Sequence, residues 1–92
     1  MIVRIATEDQ YRLPDGDAER LNDLDNQAVA AVEAGDEDRF HEVFEEMLQL
    51  VRSDGQKLGG EELEESDVIL PPPDLSFTEA AHEFTGDGLI PD

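Results

Sequence analysis

Cysteine is absent from this chain of 92 residues, so neither a disulfide nor a thiolate metal site is open to it. No apolar run approaches the roughly 18 residues of a membrane span. No basic-then-apolar leader opens the chain, and the expected compartment is the cytoplasm. Basic residues are scarce: six, with Lys57 the one lysine, against 25 acidic residues. Nucleic-acid binding needs a basic footprint, so the composition argues against it. The same shortage disfavours docking directly on anionic lipid.

Motifs of known chemistry are also missing. There is no nucleophile elbow, phosphate loop or dinucleotide fingerprint. No run of acids has the central glycine and terminal glutamate of a calcium loop. Ser53, Ser66 and Ser76 have no histidine placed to activate them. His41 and Glu45 stand one helical turn apart on one face, and His82 is the remaining histidine. A zinc-protease helix would carry a second histidine where Glu45 stands. The plainer reading of His41 and Glu45 is a solvated polar face, and of His82, beside Glu79 and Glu83, a surface residue. Pairs such as Asp15/Asp17, Asp23/Asp25 and Asp36/Asp38 arise without any site in so acidic a chain. The expectation is no catalytic residue, no metal and no cofactor. The alternative is a metal-binding protein or metal-dependent enzyme using His41, Glu45 and His82.

What the chain has in excess is negative charge, −19 at neutral pH. At low salt so much like charge strains a compact state. Disorder is one reading, but clean helical periodicity opposes it. An acidic mimic of nucleic acid is a second. The favoured reading is adaptation to molar salt, where the Debye length is ~3 Å and repulsion is screened. It fits acids spread along the whole chain, and arginine chosen over lysine.

The periodicity centres on residues 17–55. Leu21, Leu24, Ala28, Ala31 and Val32 recur at helical spacing, and after Gly35 so do Phe40, Val43, Phe44, Met47, Leu50 and Val51. The pattern predicts helices over 17–34 and 36–54, capped by Asp17 and Asp36, with Gly35 as a left-handed stop. So tight a junction makes them a hairpin. Residues 2–6 and 10–13 read as strands, with Val3, Ile5, Tyr11 and Leu13 facing the core and Arg4, Gln10 and Arg12 facing water. The two arginines form a small anion or partner site or, more plainly, pair with nearby carboxylates. Residues 56–66 read as a mobile acidic loop, 67–70 as a third strand or an extended segment beside the hairpin, and Pro71-Pro72-Pro73 as a rigid spacer. Ser76 and Glu79 form a capping box for a helix over 76–85. Beyond it, Leu89 and Ile90 are expected to tuck back onto the core. The whole is one α+β domain over 1–92, a β-hairpin and short third strand packed with a helical hairpin and a C-terminal helix.

Several pieces occur here in a recognisable order. They are Met1-Ile2-Val3-Arg4-Ile5-Ala6, Gln10-Tyr11-Arg12-Leu13, Leu21-Asn22-Asp23-Leu24-Asp25 and Ala30-Ala31-Val32-Glu33-Ala34-Gly35-Asp36. Ser66-Asp67-Val68-Ile69-Leu70-Pro71-Pro72 and Gly88-Leu89-Ile90-Pro91 follow. Together they resemble the PspAA family, the PspA-associated domain, over nearly the whole chain. The departure is Thr7-Glu8-Asp9, where related sequences often carry a glycine turn. The resemblance implies a protein linked to PspA, a peripheral membrane coiled-coil protein that guards the envelope under stress. It implies an accessory role without catalytic residues, and a PspA-like partner. Contact would then run through an exposed apolar strip, with Tyr11, Leu48, Leu89 and Ile90 as candidates. The plain alternative is that all four are core. Direct membrane binding is not expected, since no basic amphipathic helix is present.

Overall fold

In the computed structural model the described residues are 1–59 and 65–84. The two helical stripes produce α1 (Asp15–Ala34) and α2 (Glu37–Asp54). α1 begins earlier than expected. The Pro14 carbonyl accepts from Asp17 N–H and Ala18 N–H, both at 3.0 Å, so Pro14 takes the N-cap position and Asp17 lies inside the first turn. Asp17 is therefore not the cap. α1 stops at Gly35, whose φ of 69° is cheap only for a residue without Cβ. Asp36 then caps α2, its Oδ1 accepting from Arg39 N–H at 3.1 Å. Arg39 Nη2 reaches back across the junction to Gln27 Oε1 at 2.8 Å, holding the pair as a hairpin.

The sheet has four strands: β1 (Ile2–Ile5), β2 (Gln10–Arg12), β3 (Gln56–Lys57) and β4 (Val68–Leu70), in the order β3-β2-β1-β4. β1 and β2 are antiparallel with Val3 opposite Tyr11, and β4 runs parallel to β1 with Arg4 opposite Ile69. Val3, Ile5, Tyr11, Leu13, Val68 and Leu70 are buried, with the helical hairpin in the same core. Thr7 turns the β1–β2 loop with φ 68°, a conformation that glycine adopts freely and a β-branched residue does not. Glu8 in that loop is clasped by Arg52 from the end of α2, Nη2 to Oε2 at 2.6 Å.

The segment after α2 departs most from expectation. Instead of a mobile loop over 56–66, Gln56 and Lys57 form β3 against β2, and Leu58 is buried. Residues 60–64 of that segment lie outside the described residues. Gly55 makes the turn into β3. Its φ is ordinary, but a Cβ there would run into the Val51 carbonyl and the Tyr11 Cβ. Gln10 also departs from expectation, being buried on the face assigned to water. Ser66, next to β4, reaches over β1 to accept from Gln10 Nε2 at 2.7 Å, and so covers it.

α3 (Phe77–Glu83) is shorter than 76–85. The capping box forms: Glu79 N–H donates to Ser76 Oγ at 3.2 Å, and Ser76 Oγ–H donates to Glu79 Oε1 at 3.0 Å. All four phenylalanines of the chain meet here. Phe40 stacks on Phe44 at 5.6 Å and meets Phe84 and Phe77 edge-on at 5.2 and 6.0 Å. Such pairs add about 0.5–1.5 kcal/mol each beyond area burial, which anchors a helix too short to stand alone.

Candidate functional site

The candidate metal residues lie on two helices, His41 and Glu45 one turn apart on α2 and His82 on α3. His41 Nε2 faces Glu37 at 3.7 Å and its ring lies edge-on to Phe40. Glu45 accepts from Gln49 Nε2 at 3.2 Å. His82 is exposed on α3, in its last turn. Among the described residues no three His, Asp or Glu side chains are grouped to hold a metal ion. The arrangement therefore gives no support to the metal-dependent alternative.

The four candidate partner residues separate in two. Tyr11 and Leu48 belong to the buried core cluster, Leu48 at 1% exposure. Leu89 and Ile90 lie outside the described residues.

One carboxylate pair has unusual electrostatics. Asp17 in the first turn of α1 stands beside Asp54 at the end of α2. Its carboxyl is pushed above the ordinary range by desolvation, then by the charge of Asp54 and a hydrogen bond with it, while Arg20 opposes the shift. Next to this pair an open groove of about 290 Å³ is lined by Arg20, Glu45, Glu46, Leu50 and Asp54 among others. Asp25, one of many acids by sequence, is fully buried on α1 and holds a partner there. Nothing in its spacing marks it.

A distinct patch lies on the far face of the sheet from the helices. In-register neighbours on adjacent strands share a face, so Arg4 stands between Gln10 on β2 and Ile69 on β4. Ile69 is 59% exposed, the one large apolar residue so exposed among those described. The alternation Val68-Ile69-Leu70 turns it away from the core. Arg4 is half-buried. The expected pairing with carboxylates is not found for it: among the described residues no acid lies within ion-pair distance of Arg4, whereas Arg12 does hold a partner. Arg39, Arg52 and Lys57 pair with Glu42, Glu8 and Asp9.

Among the described residues no helix is long and apolar enough to cross a membrane. No curated protein and no solved structure matches the chain. The family described as PspA-Associated protein matches residues 1–92, and this chain, with its β-hairpin, helical hairpin and short C-terminal helix, belongs to that PspAA family.

Proposed function

We infer that this protein is a non-catalytic accessory component of a PspA-type envelope stress response and acts by binding PspA or a neighbouring component. The observation that carries this reading is the family match over residues 1–92. The described residues add support of a second kind, because their polar side chains are engaged in caps, helix-face pairs and strand ties rather than convergent on a shared point. Any contact with the envelope is relayed through the partner, since a −19 chain is repelled by an anionic bilayer wherever salt does not screen it. The acidity itself is read as adaptation to molar salt, and the protein as cytoplasmic. Leu89 and Ile90 remain proposed contact positions. Tyr11 and Leu48 join them only if the core opens, because both are buried.

Co-purification of the tagged chain at native salt tests this. A PspA-type protein should be recovered with it. Its consistent absence, with the protein folded and the tag exposed, would count against the reading.

A further inference from the structure

We propose that the outer edge of β4 receives an extended segment of a protein partner, which sets an acidic side chain against Arg4 and an apolar one against Ile69. The inference rests on the accessory reading above and names its docking surface.

β4 ends the sheet, so no strand covers its outer side among the described residues. Ala6 N–H donates to the Leu70 carbonyl at 2.9 Å, so the backbone groups of Leu70 face β1. Backbone groups alternate in direction along a strand, so the N–H and carbonyl of Ile69 face outward and are open to strand addition. An uncovered edge of apolar residues is a template that natural proteins usually blunt with charge or a cover. Here Pro71 closes the strand after Leu70, which keeps the edge short and leaves side chains to supply most of the affinity.

Side-chain chemistry sets the occupant. Ile69 holds its side chain in solvent between two residues that are almost fully buried. Arg4, one register step inward, is half-buried and has no carboxylate within ion-pair distance among the described residues, in a chain with 25 acids and six bases. A half-buried guanidinium that no described carboxylate engages is complementary to a carboxylate from outside. Salt screens exposed pairs and leaves partly buried ones, so this pairing survives where long-range steering does not. A second copy of the chain fits worse. A twofold contact repeats the same basic and apolar patch on both sides, so like faces like. Asp67, the acid beside this edge, is already held by Ile2 N–H at 2.8 Å.

The test measures the affinity of purified PspA for the wild type, Ile69→Lys, Arg4→Glu and Arg4→Lys in molar KCl. Circular dichroism checks the fold of each variant. Ile69→Lys and Arg4→Glu should weaken binding about tenfold or more, as truncation of a central contact does, and Arg4→Lys should keep most of it. Wild-type affinity in Ile69→Lys would overturn the docking surface and leave the accessory reading standing. No binding by the wild type would overturn that reading and this inference with it. A wild-type dimer that Ile69→Lys turns monomeric in sedimentation would make the occupant a second copy, which also overturns the proposal.

Discussion

Gln10 Nε2 donates to Ser66 Oγ at 2.7 Å, joining two residues 56 positions apart across the width of β1. This bond closes the non-helical face of the sheet over a buried polar side chain. Leu58 N–H donates to the Gln10 carbonyl at 2.9 Å, so both ends of the β3–β4 connection are tied to the same residue.

Ser66→Ala removes the acceptor and leaves a buried amide donor. The expected cost is about 1–2 kcal/mol, read as a lower urea midpoint at fixed salt. An unchanged midpoint would show that the amide finds a substitute partner and that the tie is dispensable.

Thr7 carries a left-handed backbone that its side chain disfavours by about 1–2 kcal/mol. Glycine returns part of that as unfolded-state entropy, about 0.5–1 kcal/mol. Thr7→Gly should therefore raise stability by about 0.5–1 kcal/mol, seen as a higher thermal midpoint. A lower midpoint would contradict the φ assigned to this turn. This is the position where the sequence departs from the glycine turn of its family, and the chain bends there all the same.

Asp54→Asn should stabilise the protein at pH 7 and change its acid response. The folded state holds the Asp17 proton above the ordinary carboxylate range. The favourable contribution is thus fully present below the unfolded pKa of about 3.9 and is lost as pH rises through the raised value. Towards neutral pH the charge of Asp54 opposes that of Asp17, and Asp54 also opposes the negative end of α2. With asparagine at position 54, thermal midpoints measured from pH 3 to 7 should be higher at the neutral end, and Asp17 should contribute less on acidification. A parallel curve for the two proteins would remove the coupling.

Salt should matter more than any of these single changes. With 25 acids against six bases, most carboxylates have no cation to pair with. Circular dichroism across a KCl series should show structure lost as salt is removed and greatest stability near molar concentration. Equal stability at both ends would remove the salt-adapted reading and revive the acidic-mimic reading.

Local signals were the legible part of this fold. Gly35, Asp36 and Ser76 act where they stand, through backbone geometry and hydrogen bonds to residues within a few positions. The stripes from Leu21 to Val51 needed only period. What was missed is non-local. β3 is two residues long and has no period to detect, and it exists because β2 offers an edge just where Gly55 lets the chain pass close to Val51. Gln10 is buried because Ser66 arrives over it, and neither neighbourhood in the sequence says so. The same holds for the candidate site. Ile69 received no face from the sequence, and that Arg4 lies beside it depends on β4 pairing in parallel with β1, a pairing between segments more than sixty positions apart.

The central claim is that this protein reaches the envelope only through a PspA-type partner. Sedimentation with anionic liposomes in molar KCl, with and without purified PspA, tests it most directly. The account predicts that the protein stays in the supernatant with liposomes alone and moves to the pellet when PspA is added. Sedimentation with liposomes alone, or failure to sediment in the presence of membrane-bound PspA, would contradict it.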